Sequence, residues 1–267
     1  MKILFPLLLA LLLLPARAAL AAPDFATALA GEHRSEENRA RDAWRHPAET
    51  LAFFGLEPGM TVVELSPGGG WYTEVLAPLL KDEGKLYAAH FDVNSGAYGR
   101  RSLGGFLRKL GADNDSYGGV VVSTLAPPAT IDIAPAGSVD LVLAFRNVHS
   151  WLRGGTLAHV FAAVFEALKP GGVFGVVQHR APEGRSIEDM KNTGYVTEAH
   201  VIAAAEAAGF ELADSAEINA NPKDTADHPE GVWTLPPTLA LGDRDRKRYL
   251  AIGESDRMTL KFVKPAS

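Results

Sequence analysis

Apolar residues fall in short blocks separated by glycine, proline and polar turns. Thr61-Val62-Val63-Glu64-Leu65 is a β-branched run that meets Gly68-Gly69-Gly70 almost at once, the pattern of a buried strand entering a tight turn. Trp71–Leu80 resumes helical spacing, and Lys85–Ala89 reads as a second strand after the Glu83-Gly84 turn. Val139–Ala144, Leu157–Leu168 and Val173–Val177 read as strand, helix and strand, with Lys169-Pro170-Gly171-Gly172 as the break. Thr197–Ala208 is an alanine-rich helix, Phe210–Ile218 a strand after Gly209, and Met258–Val263 a final alternating strand. Upstream, residues 24–46 are polar and helix-compatible, and Pro47 opens a short helix that Gly55 stops.

Strands alternating with helices predict an α/β protein with a parallel sheet covered on both faces. No low-complexity linker or internal repeat divides the chain, so residues 22–267 read as one domain with an N-terminal helical segment over 24–56. The glycine-, serine- and proline-rich stretch 95–136 reads as an insertion over the sheet's edge. The proline-bearing stretch 219–248 reads as a second insertion, of the length that forms a lid or one wall of a site.

The first 21 residues have a different pattern. Lys2, an apolar run from Ile3 to Leu14 and the small residues ending at Ala21 describe a secretory signal peptide, with a periplasmic or secreted product. Twelve helical residues rise about 18 Å, short of a ~30 Å hydrocarbon core, so a stable membrane anchor is not expected after cleavage. Composition then narrows the chemistry. The hydrophobic share of 47% and charged share of 22% are those of a globular protein. With no cysteine, disulfide frameworks, thiolate metal sites and cysteine nucleophiles are excluded. The net charge of −6 disfavours nucleic acid as a partner and leaves a small molecule as the expected one. The eight histidines show no metal-ligand spacing.

Glu64-Leu65-Ser66-Pro67-Gly68-Gly69-Gly70 lies between strand and helix, where glycines let backbone approach a ligand and a helix start offers unpaired N–H groups. A tight turn explains the run equally well on its own. Taken with Gly84-Lys85-Leu86-Tyr87-Ala88-Ala89 and Leu168-Lys169-Pro170-Gly171-Gly172-Val173, it resembles the class I S-adenosylmethionine-dependent methyltransferases. More narrowly, the chain is similar to a bacterial group of predicted methyltransferases with signal peptides. The shared blocks are His46-Pro47-Ala48-Glu49-Thr50, Pro67 to Thr73, Arg146-Asn147-Val148-His149 and Arg257 to Pro265. The resemblance implies a Rossmann-like, doubly wound, mainly parallel seven-stranded sheet with an antiparallel last strand, and S-adenosylmethionine as cofactor. It places Glu64, Ser66, Gly68 and Gly70 at the cofactor loop. Ser66 replaces the first glycine of the family pattern, and a serine takes positive φ at a cost. His90 replaces the acidic residue that holds the ribose, with Asp92 two residues on as a substitute.

The richest polar cluster is Arg146-Asn147-Val148-His149-Ser150-Trp151, at the carboxyl end of a strand where α/β sheets bind ligands. Gln178-His179-Arg180 ends the neighbouring strand. His149, Asn147 and His179 are therefore the candidate catalytic residues, with an ordinary imidazole pKa suited to accept a proton near neutrality. A buried network pinning loops to the sheet is the competing reading. At the level of function, an exported methyltransferase stands beside a non-catalytic periplasmic binding protein on the same fold.

Overall fold

The structure is a computed structural model and describes residues 22–266. The proposed signal peptide lies outside the described residues. Among the described residues four short helices come first: α1 (Phe25–Ala30), α2 (Glu36–Arg39), α3 (Asp42–Arg45) and α4 (Pro47–Phe54). The repeating unit follows as β1 (Thr61–Leu65), α5 (Thr73–Leu80), β2 (Lys85–His90), α6 (Gly96–Ala112), α7 (Asn114–Tyr117), β3 (Val120–Ala126) and β4 (Thr130–Asp132). The second half carries β5 (Val139–Phe145), α8 (Val148–Arg153), α9 (Leu157–Ala167) and β6 (Leu168–His179). It closes with α10 (Ile187–Thr193), α11 (Glu198–Ala207), β7 (Glu211–Ala216), α12 (Arg246–Ile252) and β8 (Arg257–Val263).

The strands form one sheet in the order β4-β3-β2-β1-β5-β6-β8-β7. β3, β2, β1, β5 and β6 are mutually parallel, and β8 runs antiparallel between β6 and β7. Eight strands rather than seven are present because β4 folds back on β3 as a short antiparallel edge. Alternation along the strands divides the core. Val63, Leu65, Val142 and Ala144 face α8, α9 and α11, whereas Val62, Leu86, Leu141 and Leu143 face α4, α5 and α7.

Two expectations change. Residues 95–136 are not an insertion: they supply α6 and the strands β3 and β4 that complete the sheet on that side. Five glycines in α6 and the exposed Val121 and Val122 of β3 hide both elements from a pattern search. Lys169–Gly172 does not break the strand but bulges within β6, where pairing jumps from Val139↔Leu168 to Leu141↔Val173. Residues 217–245 remain irregular apart from one 3₁₀ turn at Gly231–Thr234. Among the described residues no helix is long and apolar enough to cross a membrane.

Candidate functional site

The carboxyl ends of β1, β2, β5 and β6 open onto two clefts that meet at Ser66 and Asn147. The larger, about 650 Å³, is lined by Asp92, Ser95, Leu125, Pro127 and Trp151. The smaller, about 360 Å³, runs from Glu64 and the glycine loop to His149, His179 and Trp233.

The loop between β1 and α5 has the shape a ligand cradle needs. Ser66 adopts φ 47°, the left-handed conformation that a side chain reaches only at a cost of ~1–3 kcal/mol. Its N–H donates to Ala89 O at 2.8 Å, which ties the turn to β2. A Cβ on Gly68 or Gly69 would meet no protein atom within 4 Å, so the space above both is open. Gly70 differs. A Cβ there would come 3.0 Å from the Phe106 ring, so its bareness serves the packing of α6.

His90 turns into the protein. Its ring is buried against Phe106, with Nδ1 accepting from Phe91 N at 2.8 Å and Nε2 lying 3.1 Å from Gly68 O. Nε2 ties the glycine loop to β2 and Nδ1 is taken by the next residue's N–H, so both imidazole nitrogens are engaged within the protein. Asp92, beyond the strand end, lines the larger cleft; one of its oxygens accepts from Asn94 N at 2.7 Å. Glu64 is buried at the end of β1, where Thr73 Oγ1 donates to it at 2.6 Å. Burial raises its pKa from 4.5 to about 7.

Asn147 donates to Leu65 O at 2.8 Å, which makes it a brace between the ends of β1 and β5. His149 and His179 lie side by side with ring centroids 5.4 Å apart. Burial lowers the His149 pKa from 6.5 to about 4 and holds His179 well below its usual value, so both rings are neutral at pH 7. Gln178 donates to Gly194 O at 3.0 Å, which fixes its amide and turns an N–H toward His149 Nδ1 at 3.3 Å. That network assigns the His149 proton to Nε2 and makes the ring a donor toward its surroundings. His179 Nδ1 pairs with Ser255 Oγ at 2.5 Å, leaving Nε2 without a described partner.

Several lining residues carry no signal of their own in the sequence. Arg41, Arg45, Glu254 and Ser255 join Arg146 around the smaller cleft, and Trp233, Pro236 and Pro237 from the long irregular segment form its outer wall. The i, i+4 spacing of Arg41 and Arg45 places both on one helix face, but only the fold shows what that face meets. Trp71 and Tyr72 serve both packing and cleft: Trp71 Nε1 donates to Asn38 O at 3.0 Å and Tyr72 stacks on Phe145. Tyr195 is spent on Asp224, and Thr197 caps α11, so neither lines these clefts. His228, in the irregular segment, is buried and bonded to Asp224 at 2.8 Å.

The sheet order, the antiparallel β8 and the cleft over the glycine turn define the class I S-adenosylmethionine-dependent methyltransferase fold. Solved structures agree. A methyltransferase from Aquifex aeolicus superposes with TM-score 0.55 at 18% identity, over 84% of this chain and 93% of that one. The [4+2]-cyclase SpnF gives TM-score 0.58 at 16% identity, over 89% and 86%. Phosphoethanolamine N-methyltransferase 2 from Haemonchus contortus, solved with S-adenosylhomocysteine, gives 0.53 at 16% identity over 83% and 53%. No protein-family model matches the chain, and no curated protein matches it by sequence.

Proposed function

We propose that this protein is an exported methyltransferase that uses S-adenosylmethionine and acts on a small-molecule acceptor. One observation carries the reading: two clefts of different character join over an open glycine turn. Asp92 offers a carboxylate to ribose hydroxyls in the larger cleft, and the Ser66–Gly69 backbone leaves room for the cofactor's chain. Bound there, the cofactor supplies an electrophilic methyl group with its own leaving group. The protein then has to hold an acceptor, exclude water and take a proton. His149, accepting from Gln178 at Nδ1, offers its Nε2–H as a donor, and the neutral His179, paired with Ser255 through Nδ1, has no described partner at Nε2 and can accept there when its proton sits on Nδ1. Trp233, Pro236 and Pro237 close the cleft from outside. The leader-like pattern of residues 1–21 supports export.

The second reading, a non-catalytic binding protein, is favoured by His90, which leaves no side chain at the usual ribose position. Calorimetric titration with S-adenosylmethionine and S-adenosylhomocysteine separates the two. Micromolar binding, about −8 kcal/mol, is expected, weakened about tenfold by Asp92→Ala and abolished by Gly69→Leu, whose side chain occupies the open cradle. Absence of both heat and thermal shift at millimolar ligand would reject the cofactor.

A further inference from the structure

Four guanidiniums surround one carboxylate beside the two histidines. Arg41 Nε donates to Glu254 Oε1 at 2.7 Å, Arg45 Nε to Oε2 at 3.1 Å and Arg257 Nη1 to Oε2 at 3.2 Å. Arg146 is half-buried and makes no side-chain hydrogen bond or ion pair among the described residues. Arg45 is 1% exposed, its face lies 4.5 Å over Trp71, and neither Nη1 nor Nη2 has a partner. Arg41 Nη2 is likewise buried and unpaired. The group thus carries three positive charges in excess, inside a chain whose overall charge is −6.

Buried cations without counter-ions are costly, and orphaned guanidinium N–H groups add to that cost. A second anion would relieve both. Arg146 is also held for the purpose. Its backbone is left-handed at φ 63°, with its N–H donating to Val177 O at 2.6 Å, so β5 ends by turning this residue into the cleft. Arg45 and Arg146 line the smaller cleft with His149 and His179, whereas neither lines the larger one.

We propose that the methyl acceptor carries an anionic group, a carboxylate or a phosphate, received by Arg45 and Arg146 in the cleft beside His149 and His179. Guanidinium forks bind both oxyanions bidentately, and the bound anion fixes the acceptor's reacting atom against the imidazoles. The inference rests on reading this cleft as the acceptor site.

The test measures the melting temperature of the purified protein with inorganic phosphate or with benzoate, against chloride at equal ionic strength. Each titration is run with and without saturating S-adenosylhomocysteine. At least one anion should raise the melting temperature above chloride with S-adenosylhomocysteine present, and the one that does identifies the acceptor's group. Arg146→Gln should weaken that anion about tenfold (~1.4 kcal/mol), and Arg146→Lys, which keeps the charge but loses the fork, should fall between. No stabilisation beyond chloride would overturn the proposal. So would an anion effect that disappears once S-adenosylhomocysteine saturates, because the cluster would then hold the donor's own carboxylate. If S-adenosylhomocysteine does not bind while the anion effect persists and depends on Arg146, the anion site stands and the methyltransferase reading fails.

Discussion

Glu64 ends β1 with its carboxyl group out of water, and its proton is governed by that burial more than by the single bond from Thr73. The folded pKa of about 7 lies above the ordinary 4.5, so between those values the native state binds a proton that the unfolded chain has released. Its contribution is intact below pH 4.5 and is lost as pH rises toward 7, by roughly 3 kcal/mol in all at ~1.4 kcal/mol per unit. His149 acts in the opposite sense. Its pKa falls from 6.5 to about 4, so its contribution is present above 6.5 and is lost as pH falls through that window. Glu64→Gln removes the first effect alone. Relative to wild type, the variant should therefore gain stability steadily from pH 4.5 to 7, by up to ~3 kcal/mol, in urea melts across that range. A difference that does not change with pH would mean that Glu64 is ionised throughout.

At the scale of elements, the N-terminal helices reach the site through close contact with the sheet. α4 lies on β6 at Gly175, where a Cβ would come 2.7 Å from the Phe54 ring, itself fully buried. Gly175→Val should cost about 1–3 kcal/mol by overpacking, measured as a lower urea midpoint. α3 and α4 adjoin at His46, so any displacement of α4 also carries Arg45 away from Glu254. Which elements were legible follows from their surroundings. β1, β5 and α9 are buried on both faces or carry one wide apolar stripe, so residue order alone marks them. α6 and β3 are half-exposed and glycine-rich or partly solvated, and their place in the sheet is decided by pairing with β2.

Across the whole molecule, Glu254 joins the two ends of the chain. It binds Arg41 and Arg45, 213 and 209 residues away, and Arg257 at the start of β8. Glu254→Gln would leave two buried guanidiniums, Arg45 and Arg257, and the half-buried Arg41 without their counter-ion, and a loss of ~3–5 kcal/mol is expected in chemical unfolding. A loss under ~1 kcal/mol would place the cluster in contact with solvent. The resulting field has its own consequence. Arg146 bears on both His149 and His179, so the cluster works with burial to keep the two rings neutral.

The amino-acid sequence by itself determined the alternation of strands and helices, the glycine turn after β1 and the polar residues at the ends of β5 and β6. Each depends on periodicity or on turn chemistry within a few residues, where side-chain type dictates conformation directly. Tertiary structure decided where those side chains point and what they meet. It turned His90 inward to brace the loop and left the larger cleft to Asp92. It assigned the proton on His149 through Gln178 and Gly194, and it gathered Arg41, Arg45, Arg146 and Arg257 around one carboxylate. Those outcomes depend on burial and on partners brought together from distant parts of the chain, and no local pattern encodes either.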